Sequence, residues 1–381
     1  MSESVIGPAM EYATVRPFEA RRGSLIRTGW RLGPDAILSS LTRAAAVLVM
    51  LMLAVLVAVL THASLLSIHQ FGARFLVSSE WRPNELPAGP KKDKSGNVIV
   101  DEDGNTVMEM IPPSFGALPV IFGTAVSSVL ALLFAVPLSF GAALFLVRIS
   151  PRFLAGPVSF LVEFLAAIPS IAYGMWGLFV LGPFLQARVE QGCRWLYDAS
   201  GHPSAFHWLF RESTHLGTRA VITRELPLSG HDMLCGGLVL AIMIVPIITA
   251  IGRDVLKSVP RAQVEGTVAL GATWWQSSRE MLRYSRAGLF GAVMLGLARA
   301  AGETMAVTMV IGNNNEIRAS LFAPAQTMSS LLANEFAEAS TDLHRSALSE
   351  VALILLAMSL LFNVIARYLV VGKNSRSAAA H

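Results

Sequence analysis

Arg299 and Glu303 stand four residues apart in "GLARAAGETMAVTMVIGN" (296–313), a stretch otherwise apolar enough to cross a membrane. On a continuous helix that spacing puts both side chains on one face, one above the other. A charge at mid-bilayer costs about 3 kcal/mol on insertion scales, and on the order of 10 or more in simulations. Such a pair therefore needs a purpose. Three suit these residue types: an internal ion pair that fixes helix packing, a proton relay, or a charged station on the path of a polar substrate. Intramembrane ionisable groups usually mark pathways, which favours the third.

Other reactive patterns are missing. No GxxxxGK[ST] phosphate loop occurs, since Gly372-Lys373 is followed by Asn374 and Arg367 stands where the first glycine belongs. GxSxG, HExxH and paired-cysteine motifs are absent as well, so enzyme chemistry is not expected and no cofactor is implied. Cys193 and Cys235 lack metal-ligand spacing. They can pair only if both face an oxidising compartment, and otherwise stand as two thiols. His202, His207 and His215 have no carboxylate or cysteine support for a metal and read as part of a solvated loop.

The elements that must hold the Arg299/Glu303 pair are membrane spans. The chain is 53% hydrophobic and 15% charged, with a mean hydropathy of +0.55, whereas soluble domains carry about 25% charge. Its pI near 9.3 comes without the basic stripe and interleaved aromatics of nucleic-acid binding, so no nucleic acid is expected. The Lys and Arg cluster instead beside apolar runs, the pattern that orients membrane proteins. At roughly 20 residues per span, six apolar segments are long enough to cross: 44–63, 118–147, 157–185, 235–252, 288–311 and 348–371. The second and third are too long for one straight helix and contain Pro137 and Pro169, which predicts kinks or breaks. Irregular backbone at that depth survives only where protein or a water-filled cavity surrounds it.

Charge sets the orientation. Residues 1–43 form a basic leader with Arg16, Arg21, Arg22, Arg27, Arg31 and Arg43, placing the N-terminus in the cytoplasm. Thr61-His62-Ala63 resembles a cleavage site, but the leader is far longer than a signal peptide's basic region. Arg148 and Arg152 mark the second-to-third connection as cytoplasmic. The connection 253–287 adds Arg253, Lys257, Arg261, Arg279, Arg283 and Arg286 against Asp254, Glu265 and Glu280. With Lys373 and Arg376, the tail 372–381 is cytoplasmic too, leaving 44–371 as a six-span domain. Its outer loops 64–116 and 186–234 are elaborated. In the first, "KKDKSGNVIVDEDGNTVMEM" sets a DG turn between alternating runs, a hairpin signal.

The inner connection "RAQVEGTVALGATWWQSSREMLRYSRAG" (261–288) reads as a short exposed helix, a glycine turn at Gly271 and a second helix. It is either a compact protruding element or a plain amphipathic connector. Here a resemblance enters. Glu265-Gly266-Thr267-x3-Gly271 is similar to the EAA loop of binding-protein-dependent ABC importer permeases. "FGALPVIFGTAVSS" (115–128), "FLVEFLAAIPSIAYGMWGLFVLGP" (160–183), "LGLARAAGETMAVTMVIGN" (295–313) and "LLANEFAEA" (331–339) resemble the PstC-type permeases of phosphate-specific importers. The likeness covers roughly 40–370. Three departures stand out: long outer loops, Gly266 and Thr267 in place of two alanines, and Arg283-Tyr284 where the loop usually closes with Leu-Pro.

The resemblance implies an all-α integral inner-membrane protein with the type I ABC importer permease fold, six transmembrane helices and both termini cytoplasmic. Its implied partners are a related permease subunit (PstA-type), two ATPase subunits (PstB-type) and a periplasmic phosphate-binding protein (PstS-type). Glu265, Gly266, Thr267 and Gly271 would couple to the ATPase, and the substrate would be inorganic phosphate. With the fifth span starting near Gly288, Arg299 lies about 17 Å along it, near the midplane. A guanidinium matches phosphate oxygens bidentately. Glu303 would hold Arg299 in an empty path and keep phosphate from binding too tightly to leave. Thr304, Thr308, Ser170 and Tyr173 offer hydroxyls nearby, and Glu163 is either a partner for Arg299 or a separate packing contact. The rivals are a permease for another oxyanion such as sulfate or molybdate, an ion-coupled carrier acting alone, and a subunit that also signals phosphate status.

Overall fold

A computed structural model describes residues 34–90, 106, 108–200, 211–216, 220–225, 229–318 and 320–378. The chain divides into two compact units, Met1–Val55 and Leu56–His381. The described part of the first unit is the beginning of helix α1 (Pro34–Phe71). Its apolar side chains, among them Leu41, Val47 and Met50, are exposed along the whole stretch. A helix satisfies its own backbone hydrogen bonds, so lipid is a solvent that such a surface fits.

The second unit holds the end of α1, the single turn α2 (Arg74–Val77), α3 (Leu118–Ile149), α4 (Arg152–Ala166) and α5 (Ser170–Ala199). Then follow α6 (Met233–Lys257), α7 (Arg261–Ala269), α8 (Trp274–Tyr284), α9 (Arg286–Ala301), α10 (Met305–Val310), α11 (Met328–Glu335) and α12 (Asp342–Ala378). Among the described residues, two antiparallel strand pairs interrupt the helices. One joins β1 (Leu86–Pro90) to β2 (Met108–Ile111), and the other joins β3 (Arg211–Leu216) to β4 (Ala220–Glu225). The first pair frames the expected hairpin, whose Asp103-Gly104 turn lies outside the described residues, as do His202 and His207.

The core is built on α3 and α6, which run side by side in the same direction. Leu130 meets Gly237, Ser139 Oγ donates to the Val245 carbonyl at 3.2 Å, and Ala143 meets Gly252. Leu240, Ile244 and Ile248 of α6 interleave there with Ala131 and Ala135 of α3 and with Ala292 and Ala300 of α9. A second cluster gathers Phe75, Phe115, Met328, Leu331 and Leu348 around the start of α12.

Among the described residues, five helices are long and apolar enough to cross a membrane: Ile37–Phe71, Leu118–Ile149, Ser170–Ala199, Met233–Lys257 and Asp342–Ile365. The expected third span, 157–185, is divided between α4 and α5, with Pro169 as the residue before α5. Proline lacks an N–H and biases the preceding residue towards extended backbone, which ends α4 at Ala166. Pro137, by contrast, lies inside a continuous α3. The expected fifth span, 288–311, is also divided, into α9 and α10. Elsewhere the helices outrun their hydropathy windows: α1 extends through Phe71 and α5 through Ala199, so the loops expected from 64 and from 186 begin as helix.

Candidate functional site

The break in the fifth apolar segment changes the geometry that its sequence suggests. Helix α9 ends at Ala301, with Gly302 (φ −93°, ψ 1°) after it, and α10 begins only after Thr304 (φ −111°, ψ −65°). Glycine is among the weakest helix formers, and here it lies between the two charged residues. Four-residue spacing stacks side chains only on an unbroken helix, so the expected stacking of Arg299 over Glu303 does not occur. Arg299 stays exposed in the last turn of α9, with no hydrogen-bond or ion-pair partner among the described residues. Glu303 turns inward and is 7% exposed. Its Oε1 accepts a long 3.5 Å bond from the Ala306 N–H, and its backbone carbonyl accepts from Ser329 Oγ at 2.7 Å.

Three of the hydroxyls named with the pair are already engaged. Thr304 Oγ1 donates weakly to the Gly302 carbonyl at 3.4 Å, and Thr308 Oγ1 donates to the Thr304 carbonyl at 2.7 Å. Asn313 Nδ2, at the far end of α10, donates to the Thr308 carbonyl at 2.8 Å. Tyr173 Oη donates to the Leu165 carbonyl at 2.8 Å across the Pro169 break, supplying a partner for a carbonyl at the frayed end of α4. Ser170 opens α5 and is half-buried. The two broken segments meet: a Cβ on Gly174 of α5 would lie 2.9 Å from Ala306 Cα of α10, so only glycine allows this approach. Tyr173 packs in one cluster with Ala306, which sets α5 against the helix that carries Thr308, while Glu163 does not join them. Glu163 pairs instead with Arg253 near the end of α6, at 3.0 Å, and Arg253 also holds Asp254 at 2.9 Å.

The second sequence-derived site is a helix–turn–helix. Helix α7 closes at Gly271, whose φ of +81° is costly for any residue with a side chain. Thr273 then caps α8 in a reciprocal box with Gln276. Glu265 and Gly266 are exposed on α7. Thr267, in place of the usual alanine, donates to the Val264 carbonyl at 2.7 Å and lies 3.1 Å from Ser277 Oγ of α8. Arg148 at the end of α3 donates to the same Ser277 hydroxyl at 3.3 Å, so this polar chain fastens the element to the core helix. At the tip Leu270 is 91% exposed and Trp275 62%. Beneath it a cleft of about 440 Å³ is lined by residues including Gln263, Thr267, Ser277, Arg283 and Arg286.

Sequence reading missed two polar clusters, one fully buried and one partly buried. Glu190 lies beside Asp232, both fully buried, and Asp232 Oδ1 caps α6 by accepting from the Cys235 N–H at 2.8 Å. Burial pushes the Asp232 carboxyl up from the usual aspartate range, against the opposing pull of that N–H. In the other cluster, Glu335 Oε2 accepts from Trp81 Nε1 at 2.8 Å and lies 3.0 Å from His344 Nε2. Its one sequence signal is Glu335, the first of two acids inside "LLANEFAEA". Cys193 and Cys235 are both free thiols. Among the described residues no His, Cys, Asp and Glu group of three could hold a metal ion.

Known proteins place this architecture. The family described as "Binding-protein-dependent transport system inner membrane component" matches residues 135–372. A Mesorhizobium japonicum protein named "Phosphate transport system permease protein PstC" is 40% identical over 91% of this chain and 92% of its own length. A Pasteurella multocida protein of the same name is 38% identical over 86% of this chain and 89% of its own. Among solved structures, the inward-facing MetNI methionine ABC transporter aligns with a TM-score of 0.44 at 17% identity, covering 68% of this chain and 94% of that one. With its family match over residues 135–372 and these near full-length relatives, the chain belongs to the binding-protein-dependent transport system inner membrane components.

Proposed function

We propose that the chain is the membrane permease subunit of an ATP-driven importer of inorganic phosphate and forms half of its translocation path. The observation that carries this reading is the 40% identity over 92% of a relative named for phosphate transport. Counting α9 and α10 as one crossing gives six spans, with the basic leader and the tail both in the cytoplasm of a bacterial inner membrane. The clusters of Lys and Arg at 1–43, 253–287 and 372–381 support that orientation.

The α7–α8 element then faces the cytoplasm and seats its apolar tip on an ATPase subunit, with exposed Glu265 available to a basic partner. Two such ATPase subunits, a second related permease and a periplasmic phosphate-binding protein complete the transporter. A rigid element fastened to α3 through Ser277 and Arg148 is suited to turning nucleotide-driven closure into movement of the core helices.

Arg299 is the group that meets phosphate in transit. Its charge has no partner among the described residues, and a guanidinium presents two parallel N–H donors to an oxyanion. Glu303, turned away, acts on the path through its negative charge and not by pairing with Arg299. Thr304, Thr308, Ser170 and Tyr173 lie on the two broken segments that meet at Gly174 and Ala306. Thr304, Thr308 and Tyr173 would have to release backbone carbonyls before they donated to substrate, so they rank behind Arg299.

The test is uptake of labelled phosphate by proteoliposomes that hold the assembled complex, with sulfate or molybdate as competitors. ATP-dependent phosphate uptake that a tenfold excess of either competitor leaves intact is expected. Preferential uptake of another oxyanion, or phosphate uptake without any ATPase, overturns the reading.

A further inference from the structure

The motif "LLANEFAEA" has no role in the path described so far, yet most of it forms a helix tied at both ends. Helix α11 has eight residues, a length of about 12 Å. At its start Thr327 caps it in a box with Ser330, and the Met328 N–H donates to Thr124 Oγ1 of α3 at 2.9 Å. Also in the first turn, Ser329, 4% exposed, donates to the Glu303 carbonyl at 2.7 Å. At its last residue Glu335 takes the Trp81 indole N–H and the His344 imidazole. Trp81 meets Phe115 edge-on at 5.1 Å, and Phe115 stacks on His344 at 5.4 Å. Exposed Glu80 and Phe336 border this knot, so it reaches the surface.

We infer that α11 is a transmission rod between that surface and the broken span, with Ser329 as the residue that positions the Glu303 turn. The inference rests on the permease reading, which puts the Trp81–His344 surface outside, where a delivery protein would dock. The backbone at 302–304 lies between two helices and is the compliant part of the segment. At 2.7 Å the hydroxyl bond leaves the usual O–H···O range, up to about 3.0 Å, after roughly 0.3 Å of stretch. A larger shift of α11 along its axis therefore either breaks the Ser329 bond or drags the turn with it. The Glu335 contacts at the other end are the handle by which an outer event moves the helix.

The experiment uses the assembled transporter with its ATPase and phosphate-loaded binding protein, and reads the ratio of stimulated to unstimulated ATP hydrolysis. Ser329→Ala and Trp81→Phe are each expected to lower the ratio about three- to tenfold, the factor one hydrogen bond carries. Ser329→Thr, which keeps the hydroxyl, is expected to restore it. The double variant should be no worse than the worse single, because both cuts sever one rod. Independent packing roles would instead multiply the two losses, and that product overturns the inference. So does a wild-type ratio in either single variant, or failure of the threonine rescue. If Ser329→Ala lowers membrane abundance, Trp81→Phe carries the test alone from the far end, where a wild-type ratio has the same force. A wild-type complex that shows no phosphate-dependent stimulation counts against the permease reading itself, whereas normal stimulation in every variant counts against the rod alone.

Discussion

Replacing Arg299 by Gln separates a substrate contact from a packing contact, because the structure sets two very different magnitudes. The side chain is exposed and has no partner among the described residues. Its removal should change stability by no more than about 0.5 kcal/mol, the usual range for surface positions. A buried ion pair broken at one end would cost about 3–5 kcal/mol. Thermal unfolding of the complex in nanodiscs should therefore find Arg299→Gln within a degree or two of wild type. Transport should respond quite differently. Charge-assisted hydrogen bonds contribute about 1.5–3 kcal/mol, or about 10- to 150-fold in rate, so labelled phosphate uptake should fall by that factor at normal membrane abundance. Arg299→Lys should recover only part of it, since an ammonium supplies charge without the planar fork. Glu303→Gln leaves the Ser329 bond untouched, because that bond is made to the backbone. The combined Arg299→Gln, Glu303→Gln variant should thus be assembled and still inactive. Wild-type uptake in that double variant would refute the proposal that Arg299 handles phosphate.

At Gly271 a built Cβ meets open space, so the cost of substitution is the left-handed φ alone, about 1–2 kcal/mol for a branched side chain. Gly271→Asn should therefore keep most of the ATPase stimulation by phosphate-loaded binding protein and Gly271→Val should lose it; equal loss in both would show that the turn's conformation is not what matters. Asp232 has its carboxyl pushed up by burial, so its stabilising contribution is complete below the usual aspartate range and is lost as pH rises through the raised value. Asp232→Asn keeps an oxygen for the Cys235 N–H without that loss, so its unfolding temperature relative to wild type should climb with pH, and parallel pH profiles would contradict the assignment.

What the sequence could disclose follows from how local each cause is. Pro169 ends a helix through its own missing N–H, and its break was legible from one residue and its neighbours. The glycine turn at Gly271 and the two helices around it were legible for the same reason, since their caps lie within four residues of one another. The break at Gly302 was not, because a lone glycine in an apolar helix is commonly tolerated. What fixes it here is distant in the chain: Ser329 holding the Glu303 carbonyl from 26 residues away, and Gly174 letting α5 come against Ala306. Glu163 makes the same point, since its partner Arg253 lies on a helix that no spacing rule connects to it. The four-residue rule presumes an unbroken helix, and its failure at 299–303 bears on the proposed path. Stacked on one face, the two charges would have neutralised each other inside the membrane. On the path proposed above, separation by a turn leaves the arginine available to an anion, and the Ser329 bond ties the Glu303 backbone to α11.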